Sequence, residues 1–153
     1  MGNQKTKEEL NKEIVARWFG GYWGKEPDLS VIDELAAPDM KFSYSLHNPL
    51  QGREDIRAFI IEFRKAFPDL GFGAVTGLIA EGDYVVGQWA GGGTHTGTAY
   101  DGFAFGSLPA ATGKKMQFTG TSVLKVIDGK VVEERGLDDG LTALLQLGMI
   151  EAV

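Results

Sequence analysis

The apolar residues of this chain change their period near residue 70, and that change restricts its folds more than any other feature. Behind Thr6-Lys7-Glu8-Glu9, the residues Leu10, Ile14, Trp18 and Tyr22 recur every four positions, with Val15, Phe19 and Trp23 widening the stripe. This predicts a capped amphipathic helix that Gly24 to Pro27 stops. Leu29, Ile32 and Leu35 allow a short second helix before Pro38, and Ile56, Phe59, Ile60, Phe63 and Phe67 mark a third that ends at Pro68. Between them Met40, Phe42, Tyr44 and Leu46 alternate with Lys41, Ser43, Ser45 and His47, the period of a strand with one wet or pocket-facing side. Beyond residue 70, turn signals at Glu81-Gly82-Asp83 and Asp128-Gly129 divide β-type runs into four strands, roughly 71–80, 84–97, 115–127 and 130–138. A Gly/Ala/Pro-rich loop fills 98–114, and Leu141, Leu144, Leu145 and Leu147 form a closing helix. Helices followed by a meander mean α+β, with three N-terminal helices packed on one face of a bent antiparallel sheet in a single domain, 1–153.

Composition removes whole classes of chemistry. Cysteine is absent, so disulfides, thiol nucleophiles and Cys-ligated metals are excluded, and His47 and His95 are the two histidines, without metal-ligand spacing. No metal and no cofactor are expected. The net charge of −6, with basic residues scattered, argues against nucleic acid and anionic membrane as partners. No long apolar run or signal-like N-terminus is present, and the expected location is cytoplasmic.

Several landmarks occur in a fixed order: Gly52-Arg53-Glu54 with Ile56, Phe67-Pro68-Asp69, Gly82-Asp83 before a Val-rich strand with Trp89, and Gly93-Thr94-His95-Thr96-Gly97. Pro109, Thr112-Gly113-Lys114, Asp128-Gly129-Lys130, Asp139 and Gln146-Leu147-Gly148 follow. In this set the chain resembles the SnoaL-like polyketide cyclases, a branch of the nuclear-transport-factor-2-like superfamily. The resemblance implies a cone-shaped bent sheet over helices with an internal apolar pocket, a homodimer packed through the sheet's outer face, and ring closure by intramolecular aldol condensation without metal or organic cofactor. It also implies that the acid/base residue falls on Asp139. Where the family commonly has His-Trp, this chain has Glu134-Arg135.

Asp139 at the end of the last strand is therefore either a general base with a pKa raised by an apolar cavity or the cap of the following helix. Arg135 and Leu137 share its strand face, so Arg135 either reaches the pocket or pairs at the surface with Glu133 or Glu134. His95 shares strand parity with Trp89 and either meets a substrate carbonyl or bonds backbone near a glycine-rich bulge. Trp18, Tyr22 and Phe63 are core by spacing and, with Trp89 and His47, are assigned to the pocket wall. The expected function is cofactor-free acid/base catalysis on a small hydrophobic carbonyl compound by a cyclase, isomerase, dehydratase or hydrolase, with Asp139 and His95 catalytic. The alternative is a non-catalytic carrier using the same cavity.

Overall fold

In the computed structural model, which describes residues 4–153, the Glu9 amide donates to Thr6 Oγ1 and the Thr6 amide donates to the Glu9 carboxylate, each over 3.1 Å. This reciprocal cap starts α1 (Lys7–Trp23), which ends at Gly24. Helix α2 (Ser30–Leu35) packs close to it because Gly21 has no side chain; a Cβ there would stand 2.7 Å from Val31 Cγ1. Next come β1 (Ala36–Ser43), β2 (Leu50–Gln51), α3 (Arg53–Ala66), β3 (Gly71–Ala74), β4 (Ile79–Glu81) and β5 (Tyr84–Thr94). The chain finishes with β6 (Lys115–Ile127), β7 (Lys130–Asp138) and α4 (Gly140–Gln146).

The strands form one curved, unclosed sheet in the order β2-β1-β7-β6-β5-β3, with β4 also on β5. The fold is the expected α+β cone, with three local differences. The run expected as one strand over 71–80 is two, interrupted at 75–78. Strand β1 begins at Ala36, and β5 ends at Thr94, before His95. The sheet is not wholly antiparallel, because β1 pairs with β7 in parallel. These two strands lie far apart in the chain, so a long crossover, not a hairpin, joins them.

Trp18, Tyr22, Phe67, Met40, Ile56, Ile60, Met116 and Leu124 are fully buried between the helices and the concave face. Each such side chain contributes about 1.5–3 kcal/mol of burial. Two concave-face glycines make room for large rings. A Cβ on Gly120 would lie 2.2 Å from Trp89 Cζ2, and one on Gly136 would lie 1.9 Å from Tyr44 Cε1. The rings of Trp89 and Tyr44 thus lie flat across the strand backbone.

The face that β7 presents is decided by a bulge. Lys125 pairs with Glu133 while Val126 pairs with Val131, which leaves Val132 as an extra residue. Val131 is buried before the bulge, and Glu134 and Gly136 are buried after it. Inward-facing positions therefore switch from odd to even numbers partway along the strand.

Candidate active site

An apolar cavity lies on the concave side, bordered by Phe19, Trp23, Tyr44, Leu46, His47, Phe63, Phe72, Trp89, Phe118 and Asp138. Its free volume is about 20 Å³, room for a water molecule. Beside it a larger cleft of about 360 Å³ opens between α1 and strands β3, β5 and β6. Phe19, Phe72 and Trp89 border both spaces and form the partition between them.

Asp138 is the carboxyl group on this cavity. Burial pushes its pKa up, opposed by the hydrogen bond it accepts from Ser45 Oγ. Asp139, the residue expected to be catalytic, is exposed and caps α4: Oδ1 accepts from the Thr142 amide at 3.2 Å and Oδ2 from Thr142 Oγ1 at 2.6 Å. These bonds hold its carboxyl below the usual range, in keeping with the capping alternative and the reverse of the raised pKa expected of a general base. Arg135 and Leu137 do share a face with each other, but it is the convex one. Arg135 is exposed and pairs with Glu133 at 3.1 Å, and Leu137 is 78% exposed. Neither reaches the cavity, because the bulge at Val132 turned these odd-numbered positions outward.

The two histidines also part company. His47 lies on the cavity, edge-on to Phe59 and Phe63, with Nε2 3.0 Å from Tyr100 Oη. Burial lowers its pKa to about 3, so the ring is neutral. His95 is fully buried away from the cavity. Its Nδ1 accepts from the Thr112 amide and its Nε2 lies 2.7 Å from the Thr98 carbonyl, so it fastens both ends of the 95–114 loop rather than facing a ligand. That loop packs against the protein through Tyr100, Phe103 and Leu108, all buried, with Phe105 exposed. Among the described residues, no three His, Asp or Glu side chains group as a metal site.

Of the remaining expected wall residues, Trp89 and Phe63 border the cavity. Trp18 and Tyr22 lie behind the wall, and Tyr22 Oη donates to the Ile56 carbonyl at 2.8 Å. Trp18 instead serves Glu134, which one alternative for Arg135 had offered as a surface partner and which is wholly buried. Trp18 Nε1 donates to Glu134 Oε1 at 2.5 Å, Trp23 Nε1 to Oε2 at 2.8 Å, and Tyr44 Oη to Oε2. Tyr44 Oη also lies 2.8 Å from Ser122 Oγ, which accepts from Trp89 Nε1 at 2.9 Å. Burial raises the pKa of Glu134 against the pull of its three donors. The strand alternation of Phe42 and Tyr44 was the signal available for Tyr44. Nothing local marks Glu134 beyond its departure from the family pattern.

A curved open sheet wrapped over helices, with an aromatic-lined cavity on its concave side, defines the nuclear-transport-factor-2-like, or ketosteroid isomerase-like, class of α+β proteins. Within that class, this chain belongs to the SnoaL-like polyketide cyclase family, whose model matches residues 13–147. Among solved structures it is similar to a candidate SnoaL-like polyketide cyclase from Jannaschia sp. CCS1, with 24% identity and a TM-score of 0.77 over 98% of this chain and 100% of that one. It is also similar to AclR, a candidate hydroxylase from Streptomyces galilaeus, with 28% identity and a TM-score of 0.65 over 94% and 82% of the two chains. A protein of ketosteroid isomerase-like fold from Catenulispora acidiphila, in complex with trimethylamine, shares 16% identity and a TM-score of 0.68 over 89% and 92%. No curated protein sequence matches this chain. None of its described helices is long and apolar enough to cross a membrane.

Proposed function

We propose that this protein carries out cofactor-free acid/base chemistry on a small hydrophobic carbonyl compound, an aldol-type ring closure or the related isomerisation, dehydration or hydrolysis, with Asp138 as the proton acceptor. The observation that carries this reading is a carboxyl group set on an otherwise aromatic cavity, with a pKa raised by burial. Such a base is a match for the carbon-bound proton beside a ketone. The neutral His47 ring and the phenyl walls exclude water from the developing enolate. A substrate larger than a water molecule enters by parting Phe19, Phe72 and Trp89, which joins the cavity to the wider cleft.

The test compares neighbours in the chain. Asp138→Asn lowers turnover of a demonstrated carbonyl substrate by at least ~10²-fold, the usual size of a lost general base. Asp139→Asn, which keeps a capping oxygen, stays within a few fold. Because Asp138 acts ionised, the wild-type rate rises with pH through its elevated pKa, and that acid limb disappears in the Asn variant. Equal activity of Asp138→Asn and wild type removes Asp138 from the mechanism. Tight binding of carbonyl compounds without turnover favours the carrier reading.

A further inference from the structure

The chain has three tryptophans, and all three spend their indole N–H on one buried chain of polar groups. Trp18 and Trp23 donate to Glu134, and Trp89 donates to Ser122, with Tyr44 Oη bridging the two acceptors. Glu134 is 0% exposed and Ser122 1% exposed. Among the described residues no cation pairs with Glu134. Helix α1 sets Trp18, Tyr22 and Trp23 near it, Tyr44 stands one residue past the end of β1, and β6 sets Leu124 opposite it in register. The ionisable groups it feels are thus Tyr22 and Tyr44. Arg64 of α3 stands beyond Tyr22, tied to the carbonyls of Tyr22, Gly24 and Leu70. An isolated buried charge of this kind is costly, and a carboxyl so placed is more cheaply kept by taking up a proton than by staying ionised.

The two protonation states need opposite directions of the hydroxyls. With Glu134 ionised, Tyr44 O–H donates to it and Ser122 O–H donates to Tyr44. With Glu134 protonated on Oε2, its O–H donates to Tyr44, Tyr44 donates to Ser122, and the Ser122 O–H is turned toward the cleft that Ser122 lines, the space of about 360 Å³ between α1 and strands β3, β5 and β6. We propose that Glu134, Tyr44 and Ser122 form a proton relay ending in this cleft, where Ser122 meets the oxygen of an apolar enol or carbonyl ligand.

The inference rests on the acid/base reading above and adds its second half. Asp138 takes the carbon-bound proton and leaves an enolate. The Ser122 proton passes to the enolate oxygen, the Tyr44 proton to Ser122 and the Glu134 proton to Tyr44. The products are an enol and an ionised Glu134, with one proton moved across each of three oxygens. Ser122 is the group that touches substrate, while Glu134 and Tyr44 are positioning residues that act through it.

The tryptophans supply the readout, as three indole N–H signals in ¹⁵N NMR spectra recorded across pH. In the relay, the Trp18 and Trp23 signals titrate together above the ordinary carboxylate range, and the Trp89 signal follows with the same midpoint although its N–H bonds to Ser122 and not to Glu134. Glu134→Gln abolishes the transition in all three. Tyr44→Phe keeps it in Trp18 and Trp23 and uncouples Trp89, an outcome that packing alone does not produce and one that survives if the Gln variant fails to fold. Dimedone, a small cyclic 1,3-diketone that presents an enolate oxygen at neutral pH, serves as the ligand probe. Saturating dimedone moves the midpoint by about half a pH unit or more in wild type and in Asp138→Asn, which by linkage is roughly threefold in affinity between the two states, and leaves Ser122→Ala unmoved. A Trp89 signal that ignores the transition in wild type, or still follows it in Tyr44→Phe, overturns the relay. A dimedone shift lost in Asp138→Asn and kept in Ser122→Ala overturns it too, while leaving Asp138 as the base.

Discussion

The two faces of β7 differ as sharply as the inside and outside of a larger protein, although they alternate residue by residue. The concave face carries Glu134, Gly136 and Asp138: a buried acid under three donors, a glycine that accepts the Tyr44 ring, and the carboxyl on the cavity. The convex face carries Arg135 and Leu137, a surface ion pair and an exposed aliphatic, and Asp139 follows just past the strand's end as a helix cap. Similar functional groups stand on both sides, so the chemistry is set by environment. Burial raises Asp138 while hydrogen bonds to the start of α4 lower Asp139, one residue away.

The contrast is sharpest at Glu134 and Glu133. Glu134→Ala leaves two indoles without an acceptor and opens a cavity, which costs roughly 3 kcal/mol or more in urea unfolding. Glu133→Ala stays within about 0.5 kcal/mol. The sign of the pH dependence follows from the raised carboxyl. The native state keeps a proton that the unfolded chain has lost, so the Glu134 contribution falls as pH rises from the ordinary glutamate range through its folded value. Glu134→Gln flattens that slope, and a slope identical to wild type breaks the assignment of a proton to this group.

Smaller effects separate the next pair. Gly136→Ala drives a methyl into the Tyr44 ring and destabilises by about 1–3 kcal/mol, with a matching change in near-ultraviolet dichroism. Leu137→Ser, on the open side, leaves unfolding of the dissociated protomer unchanged within about 0.5 kcal/mol. For Asp139→Ala, the lost cap lowers the melting temperature by a few degrees near neutral pH. Since this carboxyl is lowered in the folded state, the cap is fully present above the ordinary aspartate range and is lost as pH falls through the folded value. Asp139→Ala and wild type therefore converge in acid.

The smallest change in stability carries the assembly question. The resemblance to the family implies a dimer through the convex face, where Val123 and Leu137 are exposed. Light scattering is expected to give about twice the 16.5 kDa chain mass, and Leu137→Asp is expected to halve it without unfolding the protomer. A wild-type monomer at micromolar concentration makes the convex face an ordinary surface.

The sequence by itself determined the elements and their order. Four-residue spacing set α1 and α3, Thr6 and Glu9 set a helix start, and Asp128-Gly129 set the β6–β7 turn, since each depends on neighbours within a few residues. It also showed that Arg135 and Leu137 share a face. Which side that face looks toward was decided only in the tertiary structure. One extra residue at Val132 inverts every later position, and Val131 and Val132 are both apolar, so alternation gives no sign of the insertion. Glu134 was out of reach for the same kind of reason. An acidic residue is stable in a core only when donors converge on it, and the donors here, Trp18, Trp23 and Tyr44, stand 116, 111 and 90 residues away in the chain.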